Sequence, residues 1–324
     1  MRPTTQGVRI AELVATLSYA ADLGLGQPME HSMRQAVIAL RLGGLVAADE
    51  QDLAATYYLG MMMNAYCHVD AREQASWFGD DIAMKADMFE LLGRDAPLMV
   101  AYMLRRVGSH GTGLERARRL ATLPVLARKM ATVSLTAHST LGAQMAGRMG
   151  LAPGVQVAIS QAYEQWDGKG LPRHLRGEEV CLAVRLVQVG AAAEVFGRRH
   201  GVEAAVKVVR KHRGTQFDPA VADAFCAHAP QLLEGLDEAA TWDAILDAEP
   251  RPTRSVVGAD LDVVLEALAD GIDLKCPYLA GHSRGVANLA AEAGSISPSV
   301  RWLPRPIPKR SPAGSAQRQP HGPL

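Results

Sequence analysis

The stretch Ile10-Ala11-Glu12-Leu13-Val14-Ala15-Thr16-Leu17 sets Ile10, Leu13, Val14 and Leu17 at i, i+3, i+4 and i+7, one apolar stripe of an α-helix. The next segment repeats the spacing less strictly through Val37, Leu40 and Leu45. Pro28 stands where a first-turn proline belongs, ahead of a helix over Met29–Leu45. Further outward, the pattern predicts helices over Asp52–Tyr66, Pro97–Arg106, Leu114–Leu120, Leu126–Met149, Pro153–Gln165, Cys181–Arg198, Val202–Lys211 and Pro219–His228. Period-two alternation is nearly missing, and Arg254–Val257 is too short to count as a strand. The predicted fold class is all-α.

The chain has 324 residues, 48% apolar and 21% charged, which is ample material for a core. Acidic and basic side chains number 34 each. This balance excludes a chain that is disordered overall, and it lacks the basic excess of a bulk electrostatic nucleic-acid binder. The four cysteines, Cys67, Cys181, Cys226 and Cys276, are widely spaced without a C-x-x-C, and so read as thiols of a reducing compartment. Glu12 and Asp22 interrupt the Ala11–Leu25 stretch, so no signal peptide is expected. The most apolar short run, Tyr57–Met63, is far below the ~20 residues of a membrane span. A cytoplasmic protein without a membrane span is the expectation.

An internal repeat emerges at an offset of 251 residues: Leu17, Asp22, Leu23, His31, Ser32, Ala36 and Ala39 match Leu268, Asp273, Leu274, His282, Ser283, Ala287 and Ala290. The D-L…H-S core carries no gap, and the helical pattern of the second copy stops after Ala293. From Ser295 the composition changes to seven prolines and five basic side chains without an acid. That segment reads either as a disordered basic tail or as a truncated or frameshifted end replacing the rest of the repeat. The expected organisation is a helical domain over 8–235, a linker over 236–256, an incomplete second unit over 257–294 and the tail over 295–324. Residues 1–294 then carry a net charge of −5, which disfavours nucleic acid as a partner of the folded body.

The most specific stretch is Gln161-Ala162-Tyr163-Glu164-Gln165-Trp166-Asp167-Gly168-Lys169-Gly170-Leu171-Pro172. A helix ends in two carboxylates and a tryptophan, and Gly168 and Gly170 allow a tight turn that Pro172 stiffens. Leu175-Arg176-Gly177-Glu178-Glu179 leads into the helix holding Val184-Arg185-Leu186-Val187, and Gly214 precedes Phe217-Asp218-Pro219-Ala220. This set resembles the HD-GYP family of metal-dependent phosphohydrolases, known for hydrolysing cyclic di-GMP. Its signature runs H-H-E-x-x-D-G-x-G-Y-P, G-L-x-G-E and G-x-x-F-D-P. His138 in Ala137-His138-Ser139-Thr140-Leu141-Gly142 resembles the family's H-P-x-x-G helix. His31-Ser32, and more closely His282-Ser283-Arg284-Gly285-Val286-Ala287, resemble its H-S-x-R-V-A helix. The similarity covers roughly His31 to Phe225 and implies an HD-type helical bundle, with the start of a second HD-like unit.

The family chemistry uses two or three metal ions, iron or manganese, bridged by His and Asp side chains to generate hydroxide and brace charge on phosphorus. The resemblance puts His31 and His138 at ligand positions. The family's H-H pair falls on Ala162-Tyr163, its H-D pair on Met63-Asn64, and its downstream Asp near Ala191. His68 and Asp70 are substitutes for the lost pair where the backbone is irregular, because i and i+2 point to different sides of a helix. Glu194 would reach in one turn late. The candidate metal ligands are therefore His31, His68, Asp70 and His138. The contrasting reading keeps a helical scaffold with His31 and His138 as ordinary buried histidines.

Glu164 and Asp167 are candidate acid–base groups, against the plainer reading that they cap the turn. Lys169 and Arg185 are candidate phosphate contacts, against a solvated lysine and a surface arginine. Gly281-His282-Ser283-Arg284-Gly285 matches a nucleophile elbow in spelling, but follows no strand and precedes no triad. Gly111-Thr112-Gly113 lacks the third glycine and the strand of a dinucleotide loop. The reading is an HD-GYP-type, phosphohydrolase-like signalling protein, with a cyclic dinucleotide or other phosphodiester as candidate substrate and an eroded metal site. The alternative is a non-catalytic sensory or interaction module with a protein partner, or a regulator without its output domain. Nothing after Ala293 reads as a helix-turn-helix, so no DNA-binding module is expected.

Overall fold

The computed structural model describes residues 7–91, 96–109, 111–236 and 241–296; most of the proline-rich tail lies outside them. Fourteen α-helices are described. The first three, α1 (Ile10–Gly24), α2 (His31–Leu45) and α3 (Glu50–Met62), precede a run of turns over 63–70. Next come α4 (Ala71–Phe78), α5 (Asp81–Leu91), α6 (Ala96–Arg106) and α7 (Gly113–Arg148). The rest are α8 (Pro153–Ser160), α9 (Leu182–His200), α10 (Val202–Lys211), α11 (Pro219–Leu233), α12 (Thr241–Asp247), α13 (Gly258–Asp273) and α14 (His282–Ile296). The all-α class is as predicted, and no described helix is long and apolar enough to cross a membrane. The chain divides into Met1–Arg284 and Gly285–Leu324; the described part of the second unit is the remainder of α14.

The core centres on α2, α3 and α9, where Met33, Ile38, Leu42, Tyr57, Leu59, Met61, Val184, Leu186 and Val187 are buried. Two glycines let these helices touch. A Cβ on Gly60 would lie 2.6 Å from the Ala36 Cβ, and one on Gly190 would lie 2.7 Å from the Gln35 carbonyl oxygen. Gln35 Nε2 donates to the Gly60 carbonyl at 2.5 Å, satisfying a polar group buried at this contact.

The sequence pattern and the elements differ in several places; the helix expected over Pro153–Gln165 stops as α8 at Ser160, where turns take over. Asp52–Tyr66 was expected as helix to its end, but α3 stops at Met62 and Met63–Asp70 runs as successive turns. Leu114–Leu120 and Leu126–Met149 are one 36-residue helix, α7, which continues through position 124 despite its proline. A proline removes one i→i−4 bond and kinks a helix, but good helix formers on both sides sustain it. The 254–257 segment forms a short strand after all: β2 (Ser255–Val256) pairs antiparallel with β1 (Val8–Arg9). Arg9 Nε anchors this end by donating to Glu249 Oε2 at 2.7 Å.

The two stretches of the repeat share one local geometry. Ser32 Oγ donates to Asp22 Oδ1 at 2.6 Å, and Ser283 Oγ donates to Asp273 Oδ1 at the same distance. Each aspartate also accepts the serine N–H, at 3.2 Å and 3.0 Å. A carboxylate at the end of one helix thus satisfies a free N–H in the first turn of the next. β1 leads into α1 and β2 into α13, so each copy runs strand, helix, turn, helix.

Gly60→Ala is expected to lower stability by about 2 kcal/mol, because overpacking at Ala36 outweighs the helix-propensity gain. Gly44→Ala on α2, where a new Cβ meets nothing within 4 Å, is expected to raise it. Urea midpoints of the two variants against the parent check the pair.

Candidate functional site

His31 is the first residue of α2, brought there by a turn in which Glu30 takes a left-handed conformation, φ 73°. Its Nδ1 lies 2.6 Å from Glu194 Oε2 on α9, and both side chains are buried. Arg34 Nε donates to Glu194 Oε1 at 3.0 Å, and Arg198 Nε, one turn along α9, donates to the same oxygen at 2.7 Å. Burial alone would push the Glu194 carboxyl up; the hydrogen bond and charge of His31, then those of Arg198, outweigh it and hold it at about 2. Phe89 of α5 closes edge-on over the His31 ring, with centroids 5.2 Å apart.

A second cluster forms where the 63–70 turns meet α7 and the segment after α8. His138 Nε2 is 3.4 Å from Asp70 Oδ2, and Ser134, one turn earlier on α7, donates its hydroxyl to the same oxygen. Tyr163 donates its hydroxyl to the Met63 carbonyl at 3.1 Å and lies 3.5 Å from the Cys67 sulfur. Burial would lower the His138 pKa, but the charges of Cys67 and Asp70 raise it to about 10. Burial likewise opposes ionisation of Cys67 and Asp70, and His138 reverses it, leaving both below their ordinary values. The cluster thus sets a buried imidazole beside a carboxylate and a thiol, each biased towards its charged form.

The four candidate metal ligands fall in three places. Asp70 and His138 meet, His31 turns to Glu194, and His68 Nε2 is taken by the Gly271 carbonyl at 2.8 Å. Among the described residues no three His, Cys, Asp or Glu side chains are arranged to hold a metal ion. His31 Nε2, His138 Nδ1 and Asp70 Oδ1 are buried without a partner, but they do not converge. This donor set does not fit a binuclear metal centre: Glu194 already carries two guanidinium partners, and a tyrosine stands at 163.

The acid–base candidates serve their loop. Glu164 is fully buried and accepts the Arg173 and Leu175 N–H groups at 2.6 and 3.0 Å. Gly170 is required here, since a Cβ would fall 2.2 Å from the Gln165 nitrogen. Asp167 accepts the Lys169 N–H at 3.0 Å and pairs with its ammonium at 2.8 Å. Arg185 is paired with Asp218 at 2.6 Å and lies over the Trp166 ring. Arg34, Arg198, Cys67 and Tyr163 were not predicted as site residues. Arg198 had a legible signal, its i,i+4 spacing from Glu194.

Glu194→Gln is expected to cost about 3 kcal/mol at neutral pH, because an amide cannot balance the buried cations. The folded pKa of about 2 lies below the ordinary 4.5, so this group's contribution is complete above pH 4.5 and lost as pH falls towards 2. Urea titrations across that window should show the parent losing on the order of 3 kcal/mol that the variant does not lose.

A family model described as HD domain matches residues 129–221, from α7 to the start of α11. The 3'3'-cGAMP-specific phosphodiesterase 3 of Vibrio cholerae serotype O1 is 26% identical over 306 residues, covering 91% of this chain. The chain spans 66% of that relative's length. A cyclic di-GMP phosphodiesterase of the same organism is 32% identical over 83 residues, 24% of this chain and 17% of its own. The crystal structure of a V. cholerae cyclic GMP-AMP specific phosphodiesterase superposes with a TM-score of 0.68 at 23% identity, over 91% of this chain and 68% of that one. It therefore shares the fold. Residues 129–221 thus match an HD domain, and the chain is similar over most of its length to a cyclic-dinucleotide phosphodiesterase whose fold it shares.

Proposed function

We propose that this chain is part of a signalling protein related to the cyclic-dinucleotide phosphodiesterases, and that its HD site is a structural or regulatory remnant, not a hydrolytic centre. The observation that carries this reading is the Glu194 carboxylate, buried and already balanced by Arg34, Arg198 and His31. A metal site needs carboxylates and imidazoles free to coordinate; here two guanidiniums neutralise the carboxylate.

The second cluster supports the same reading. Asp70 and His138 are engaged with each other, with Ser134 and with Cys67, while Tyr163 fills the place where the resemblance puts an imidazole. Glu164, Asp167 and Lys169 are occupied in shaping the loop over 164–175. The relatives act on cyclic dinucleotides by name, and that class is the one to test.

The purified chain, incubated with Fe²⁺ or Mn²⁺ and desalted, is expected to hold far less than one equivalent of metal by elemental analysis. It is expected to yield no linear product from 3'3'-cGAMP or cyclic di-GMP above a metal-only control. Stoichiometric metal together with linearised product would overturn the proposal and make this HD site an enzyme.

A further inference from the structure

Helices α4, α5 and α6 and the N-terminal half of α7 form an annex with a small core of its own, around Phe78, Met84 and Val107. Within it lies a cleft of about 160 Å³ walled by Trp77, Met84, Met88, Met103 and Met130. An apolar cavity of about 150 Å³ accepts a benzene-sized guest. Methionine walls add adaptability, because the unbranched thioether repacks around a range of shapes.

The lining also carries polar side chains, two of which hold an oxygen without a partner. Asp70 and Gln74 both line it. Asp70 Oδ2 is taken by Ser134 and His138, but Asp70 Oδ1 and Gln74 Oε1 are buried with no hydrogen-bond partner. Each lacks a donor, and a buried acceptor left unsatisfied is destabilising. Glu73 is the other acidic residue of the lining, and no Lys, Arg or His belongs to it. The cleft thus combines an apolar body with acidic and amide side chains and no cationic one.

We propose that this cleft binds a small amphipathic amine, its ammonium group donating to Asp70 Oδ1 and Gln74 Oε1 and its apolar body lying among the methionines against Trp77. The proposal is independent of whether the HD site hydrolyses anything. It makes Asp70 the shared residue of the cleft and the His138 cluster.

Calorimetry on the full chain with 2-phenylethylamine, 2-phenylethanol and 3-phenylpropionate tests it, since the three share one body and differ in the head. Saturable binding is expected for the amine, about tenfold weaker binding for the alcohol and none for the acid. Ala127→Phe, which fills the cleft from α7 without touching Asp70, is expected to abolish amine binding. Asp70→Asn should weaken it about tenfold. Failure of the amine to bind the parent chain, equal binding of the acid, or amine binding undiminished in a folded Ala127→Phe chain each overturns the proposal. The comparison of the three ligands on the parent needs no variant, so it stands whether or not the substituted chains fold.

Discussion

A carboxylate with 1% of its side chain exposed is a liability until something balances it, and the balance of Glu194 sets the relation of α2 to α9. Desolvating an ion costs several kcal/mol even after relaxation. That cost is met only by charged partners with good geometry. Arg34 and His31 come from the first turn of α2 and Arg198 from the last turns of α9, so the pair of helices is pinned in one register. The glycine contacts at Gly60 and Gly190 then let α2, α3 and α9 approach closely enough to bury the methionines and leucines between them. An electrostatic clamp sets the register, and apolar burial supplies most of the free energy.

The same economy governs the repeat. Asp22 and Asp273 each sit at the end of one helix and bond the serine that starts the next, through both its hydroxyl and its N–H. A ten-residue spacing between acid and serine is all the sequence needs to keep for this corner to form. It accounts for the Asp and the Ser recurring in both stretches while the surrounding side chains differ: the corner depends on two hydrogen bonds, and the helix faces can be repacked. The antiparallel pairing of β1 with β2 joins the lead-in of one copy to the lead-in of the other.

The fold was largely legible because helical periodicity is a repeated signal, read many times along one chain. α1, α9 and α10 follow the apolar spacing closely. Boundaries were less legible where turns replace helix without a glycine or proline to announce them, as at Met63–Asp70. β2 could not be read because two residues of strand have no period; their pairing depends on β1, nearly 250 residues away. Of the candidate ligands, the meeting of Asp70 with His138 was readable only as two members of one set. The diversion of His68 to the Gly271 carbonyl was not. A backbone acceptor from a distant helix leaves no mark in sequence, whereas Glu194 and Arg198 at i,i+4 do. The plainer reading of Glu164 and Asp167 as turn-shaping groups matches what they bond.

Loss of a metal ligand in a buried site creates a second problem beyond lost chemistry, since each remaining donor becomes an unpaired polar group in a low-dielectric interior. On the reading proposed above, this chain meets that problem with side chains that bring their own partners. Tyr163 reaches the Met63 carbonyl, Ser134 covers Asp70, and Asp70 lies against His138. Of the candidate ligands' atoms, His31 Nε2, His138 Nδ1 and Asp70 Oδ1 are left over. The His31 ring packs against Phe89, and Asp70 is also a lining residue of the methionine cleft. On the reading proposed above, the substitutions form a coordinated set: protein cations and hydroxyls replace what a metal would neutralise. Such a set keeps the helical scaffold intact while freeing it from the geometry of catalysis, because fold and chemistry make separate demands on the same residues.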